Sequence, residues 1–201
     1  MKQLLLLLVL ALGACQPTTE PATVATPAAG PTPKPAGAAT PAAQTAVRFL
    51  TWYKQQYESV NRVYFLDNLD GNDTTKFYAV NPAATETYLE ALRKSNCLSD
   101  ACLNRWRRYI RQQGDSLRVH PQNDGPPEGF AFDLVLHSQE PEIYWNGIGK
   151  ASLTTTYPSA GRAVVTADFS SKPDMPDQRL FYLRQYPAGW RIDSINTGRQ
   201  L

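Results

Sequence analysis

Between residues 46 and 64 (AVRFLTWYKQQYESVNRVY) apolar positions recur every three or four residues. Ala46, Phe49, Leu50, Tyr53, Tyr57 and Val60 therefore fall on one side of a helix. Thr40-Pro41 or Thr45 supplies its start signal. Turn residues in LDGND (69–73) then interrupt the chain. Asn81-Pro82 reads as a cap followed by proline at the first helical position, opening a second helix through Tyr88, Leu89 and Leu92. A third helix is expected from Ser99 or Asp100; it carries Leu103, Trp106 and Ile110 and stops at Gly114. Past a Pro- and Gly-rich loop (120–129) the period changes. Residues 150–157 and 160–169 alternate with period two, and 178–186 and 189–195 follow, with short turns between them. Four such strands form an antiparallel meander. Helices first and strands later predict an α+β class, with N-terminal helices packed on a curved antiparallel sheet.

A different pattern governs the first 44 residues. The apolar run Leu4–Ala14 is eleven residues long, whereas a membrane-spanning helix needs about 20 to cross roughly 30 Å of hydrocarbon. With Lys2 before it and small residues at its end, it has the layout of a secretory signal. Its close, Leu12-Gly13-Ala14-Cys15, resembles the lipobox of bacterial lipoproteins. The resemblance implies that the Cys15 thiol is acylated, that the signal (1–14) is cut just before it, and that Cys15 becomes a membrane anchor. An ordinary secretory signal with a chance cysteine is the alternative. By the sorting rule of enterobacteria, Gln16 after the cysteine favours the outer membrane over the inner, with the domain facing the periplasm. Residues 16–44 are mostly Pro, Ala, Thr and Gly, and they bury too little apolar surface to offset their ordering entropy. Residues 15–44 thus read as a lipidated, disordered tether, with one folded domain over 45–201. About thirty residues of polyproline would reach ~90 Å, and a coil nearer ~30 Å.

The formal charge of +2 falls to +1 once Lys2 leaves with the signal. A dedicated nucleic-acid binder carries a strong basic excess, so no nucleic-acid partner is expected.

Four stretches, VRFLTWY (47–53), FDLVLHSQE (132–140), VVTADF (164–169) and GWRIDSI (189–195), resemble a bacterial family known as domain of unknown function 3828. That family is placed in the nuclear-transport-factor-2-like superfamily, the cystatin-like cone. The resemblance spans about residues 45–198. It implies a curved antiparallel sheet around a long N-terminal helix. It also implies an envelope lipoprotein, some relatives of which are immunity proteins against peptidoglycan-cutting toxins.

Three groups of residues carry the candidate chemistry. Cys97 and Cys102 remain once Cys15 is lipidated; in an oxidising compartment they are expected to form a disulfide, closing a short loop for about 2–3 kcal/mol. A zinc pair is disfavoured because no second cysteine pair exists. Arg105, Trp106, Arg107, Arg108 and Arg111 make a candidate surface for anionic lipid, peptidoglycan or an acidic protein. The plainer reading turns Trp106 inward and leaves the arginines solvated. Tyr53, Tyr57, Asp133 and Asp168 are the candidate pocket, where a cone-fold enzyme would place a carboxylate base and hydrogen-bond donors. Asp133, Gln139 and Glu140 either line a polar site or cap and turn the chain. His120 and His137 come with no nucleophile motif such as Gly-x-Ser-x-Gly. The expectation is a non-catalytic binding domain without cofactor or metal. Its partner would be an envelope protein or peptidoglycan. The alternative is a small-molecule enzyme or ligand carrier that uses the cone pocket.

Overall fold

The computed structural model describes residues 40–68, 75–171 and 176–198, all within one unit, Pro33–Leu201. The signal, Cys15, the tether up to residue 39 and the turn expected at 69–73 lie outside the described residues. Helix α1 spans Pro41–Asn61, and its start answers the choice left by the sequence. Thr40 is the N-cap, its hydroxyl accepting from Ala43 N at 3.2 Å, and Pro41 follows at the first helical position. The folded domain therefore begins before residue 45, because Ala42 and Ala43 are already buried against it. Thr40 Oγ1 also bonds Thr155 Oγ1 at 3.0 Å, which ties the helix start to the sheet.

Two further helices use the expected caps. Asn81 Oδ1 accepts from Ala84 N at 3.1 Å to open α2 (Pro82–Arg93), and Ser99 Oγ accepts from Cys102 N at 3.2 Å to open α3 (Asp100–Val119). Helix α3 does not stop at Gly114. A Cβ built there would lie 2.8 Å from Val80 Cγ2, so glycine serves close packing against strand β2 (Ala79–Val80) inside a continuing helix. Strand β2 pairs with β1 (Leu66–Asp67) in a two-stranded ribbon that the sequence pattern did not announce. Both strands are too short to show a period. Gly114→Ala gains helix propensity of about 1 kcal/mol but overpacks a site where about 1–3 kcal/mol is the usual cost. A net loss of about 1 kcal/mol is expected in urea unfolding, recovered when Val80→Ala is added. A stabilised Gly114→Ala would show that glycine is not there for room.

The main sheet is a meander in the order β3 (Ser152–Ser159), β4 (Arg162–Asp168), β5 (Gln178–Tyr186), β6 (Gly189–Thr197), antiparallel throughout. This is the expected α+β architecture. Period two sends Ala163, Val165 and Ala167 of β4 and Phe181 and Leu183 of β5 to the covered face, where all are buried. In β6 the register shifts: Ile192 opposes Leu183 but Ser194 opposes Tyr182, leaving Asp193 as an extra residue. That bulge is what lets both Ile192 and Ile195 point into the core despite odd spacing. Phe49, Leu50 and Tyr53 of α1 and Leu103, Trp106 and Ile110 of α3 share one apolar cluster with these strands. The outer edge of β6 is covered by the segment before α3: Ser99 N donates to Ile192 O (2.9 Å), and Ile192 N donates to Cys97 O (2.8 Å). Among the described residues no helix is long and apolar enough to cross a membrane.

Candidate functional site

A half-open cleft of about 490 Å³ lies where the end of α1 meets residues 63–66, α2 and the 130–141 segment. Tyr57 and Asn61 come from α1, and Tyr88 from α2. Phe130, Phe132 and Asp133 come from the segment after the Pro- and Gly-rich loop. Helical periodicity explains the first group, since Tyr53, Tyr57 and Asn61 are four residues apart on one face of α1.

Asp133 is the hub of the segment. Its Oδ2 accepts from Tyr53 Oη at 2.6 Å, and its Oδ1 accepts from Val135 N (3.1 Å) and Leu136 N (2.7 Å). Its own N–H donates to Ser138 O at 2.8 Å, closing a tight loop with His137 at φ 51°. The loop pushes Leu134, Val135 and Leu136 into the core, where a free backbone N–H would be costly. Asp133 supplies those acceptors. Of the two roles weighed for it, capping and turning the chain is the one its hydrogen bonds perform. Burial raises its carboxyl above the ordinary value of 3.8, against the lowering effect of the Tyr53 bond and of the Leu136 and Val135 N–H groups. Tyr53 and Tyr88 are held well above 10, mainly by burial.

A raised carboxyl pKa has a definite sign in stability. The folded state holds the proton more tightly than the unfolded one, so stability is lost as pH rises from 3.8 through the folded pKa. Asp133→Asn lacks this loss. Urea midpoints are therefore expected to show wild type losing ground against Asp133→Asn from mildly acid to neutral pH. A gap that moves the other way would mean that the three hydrogen bonds outweigh desolvation.

The structure splits the expected pocket. Tyr53, Tyr57 and Asp133 come together, whereas Asp168 lies outside the cleft at the end of β4. There its carboxylate accepts from Ser170 N (2.9 Å) and Gln178 Nε2 (3.0 Å), and Ser170 and Gln178 hold its pKa below the ordinary range. It closes a turn. The candidate arginine surface loses Trp106, as the plainer reading has it, and Arg107. Trp106 is 6% exposed and belongs to the core. Arg107 forms a two-pronged pair with Glu86 of α2 (Nε–Oε1 2.6 Å, Nη2–Oε2 2.7 Å), and its hydrogen bond holds Glu86 below the usual carboxylate range. Arg105, Arg108 and Arg111 remain exposed. The periodicity that puts Leu103, Trp106 and Ile110 on one stripe of α3 leaves these three arginines off it.

Cys97 and Cys102 are free thiols, not the expected disulfide. Cys97 Sγ accepts from Arg48 Nε at 3.4 Å, toward α1, while its carbonyl is taken by Ile192. Cys102 is 1% exposed on α3, with its thiol pushed up to about 12 by burial and then by the Asp193 charge. Burial keeps Cys102 out of the thiolate form that attacks disulfides.

Sequence reasoning missed Arg179, which is 5% exposed in β5. Its Nε donates to Leu136 O at 2.7 Å, its Nη1 to Asp177 Oδ1 and Gln178 O, both at 2.9 Å, and its Nη2 to Tyr144 Oη. Its guanidinium carbon also lies 3.9 Å from the Tyr144 ring centre. Tyr144 belongs to α4 (Glu142–Gly147), a short helix likewise not expected. A signal was available: Arg179, Phe181 and Leu183 alternate in QRLFYLRQY, which places the arginine on the inward face. Arg179 lines a broad groove of about 1190 Å³, with Ile143 and Tyr182 as its exposed apolar residues.

Fold and cleft define a helix-on-sheet α+β domain with an aromatic cleft beside a carboxylate-stapled loop. No family model matches the chain, and no curated protein matches it. Among solved structures it is similar to the crystal structure of the type VI effector–immunity complex Tae3–Tai3 from Ralstonia pickettii. That similarity has a TM-score of 0.39 and 18% identity, and covers 81% of this chain and 99% of that one.

Proposed function

We propose that this chain is a lipid-anchored protein of the bacterial envelope whose domain works by binding rather than catalysis. The kinship with domain of unknown function 3828 and its cone superfamily is part of the same reading. The observation that carries the binding role is the state of the cleft. Both oxygens of Asp133 are engaged by donors within the fold, while Tyr57, Tyr64 and Phe132 around it leave ring surface accessible. Such a site offers contact area and no free base. The lipobox supplies the anchor, on the periplasmic side of the outer membrane. Holding the domain at a membrane raises its effective concentration there, so a modest-affinity binder suffices. The partner is an envelope protein or a cell-wall ligand, and an immunity-like role falls within that class.

Two experiments test the reading. Cys15→Ala is expected to move the protein from the membrane to the soluble fraction; retention at the membrane would remove the anchor. Crosslinking of the full chain in envelope extract should recover a stoichiometric partner. Recovery of none would count against binding. Asp133's raised pKa is the observation that favours the enzyme reading. Under that reading Asp133→Asn abolishes turnover of a small substrate yet spares partner capture.

A further inference from the structure

The chemistry of the cleft lining narrows what it can hold. Among the described residues that line it, Asp133 is the one charged side chain, and its oxygens are already committed. No lysine, arginine or histidine among them faces the cleft to receive an anion. Tyr88, Phe65 and Phe130 form a packed aromatic floor, with Phe65 5.0 Å from Tyr88 and 5.5 Å from Phe130 between ring centres. Above it stand rings that water reaches: Tyr64 is 66% exposed, and Tyr57 and Phe132 are half-buried. The phenol oxygens of Tyr57 and Tyr64 have no hydrogen-bond partner among the described residues. The remaining polar groups are neutral amides. Asn61 donates its Nδ2 to Tyr57 O at 3.0 Å and its side chain also reaches Tyr53; Gln139 holds Ala131 O only at 3.4 Å.

Flat apolar faces ringed by uncharged donors and acceptors match one ligand chemistry well. A pyranose ring has a C–H face that packs on aromatic carbon and an equator of hydroxyls that exchange hydrogen bonds with amides and phenols. We propose that the cleft is a binding subsite for a neutral sugar of a glycan chain, seated against Tyr64 and Tyr57 with Asn61 and Gln139 contacting its hydroxyl or acetamido groups. A volume of about 490 Å³ accommodates one or two such rings, and the half-open shape leaves the bound ring in reach of solvent. The inference rests on the binding reading above and names the ligand class for it.

Titration of the full chain in detergent with the neutral trisaccharide of N-acetylglucosamine tests this. Trp145 reports it, because its ring centre lies 4.7 Å from that of Tyr57. Saturable fluorescence change with a Kd of roughly 0.1–1 mM is expected. Tyr64→Ala, at an exposed position that should not disturb folding, is expected to weaken it roughly tenfold or more, and Arg108→Glu to leave it unchanged. No saturable binding at millimolar trisaccharide overturns the proposal, as does binding that survives Tyr64→Ala. Tighter binding of an apolar ring such as naphthol, or of a hexose phosphate, overturns the sugar class. A failed titration with a partner still captured from envelope extract removes this inference alone, whereas failure of both removes the binding reading with it.

Discussion

Replacing Trp106 with alanine lowers the stability of the domain by about 3–5 kcal/mol, the usual cost of truncating a buried tryptophan. The side chain is 6% exposed and packs within the cluster shared by α1, α3 and the sheet. Its removal takes away transfer free energy and leaves a cavity that the flanking Leu103 and Ile110, both nearly fully buried, cannot close by small shifts. A domain of this size holds about 5–15 kcal/mol in all, so the variant stands near the edge of folding at 37 °C. The adjacent arginines give the contrast. Arg108 is exposed, with no partner among the described residues, and Arg108→Glu is expected to stay within about 0.5 kcal/mol of wild type. Urea unfolding of the pair decides between a core tryptophan and a contact tryptophan. A loss below about 1 kcal/mol for Trp106→Ala would return it to the surface. Any partner studies on α3 then belong with Arg105, Arg108 and Arg111.

The second large effect is at Arg179. Methionine there keeps much of the stem's volume but removes every donor to Leu136 O, Asp177, Gln178 O and Tyr144. Leaving a buried charge or acceptor without its partner costs about 3–5 kcal/mol in fully buried pairs. Asp177 is 37% exposed and recovers water, which places the expected loss nearer about 3 kcal/mol. The damage should be local in form. Leu136 O loses its partner, so the loop held by Asp133 loosens, and the amides of Val135 and Leu136 exchange hydrogen faster than in wild type. Unchanged exchange there would mean that the Asp133 bonds hold the loop without the arginine. Arg179→Lys is not a rescue, because one ammonium cannot reproduce the fork that meets a carbonyl, a carboxylate and a phenol.

The elements with long, regular patterns were legible from residues alone. α1 needs one apolar stripe and a cap, and Thr40-Pro41, Phe49, Leu50 and Tyr53 supply both. Asn81-Pro82 and Ser99 mark α2 and α3 because caps are local chemistry, settled within four residues. The meander follows from alternation and from the two-residue turns that join β3 to β4 and β5 to β6, whose geometry sets those strands side by side. By contrast, Gly114 looks in sequence like a helix end and is in fact a point of contact with Val80, a neighbour thirty-four positions away. Trp106 sits amid arginines in sequence, and the helical stripe it shares with Leu103 and Ile110 already turns it inward.

For this protein the sequence by itself determined the α+β class, the starts of α2 and α3, the strand alternation and the lipobox-like opening, since each rests on neighbours along the chain. Only the tertiary structure decided which polar groups meet. It joined Tyr53 to Asp133 across eighty residues and Arg179 to Leu136 across forty-three, and it separated Asp168 from the cleft. It also left Cys97 and Cys102 as buried free thiols. The reason is physical: a helix or strand period is written in local spacing, whereas burial forces each polar group to find a partner wherever the packed core brings one within about 3 Å.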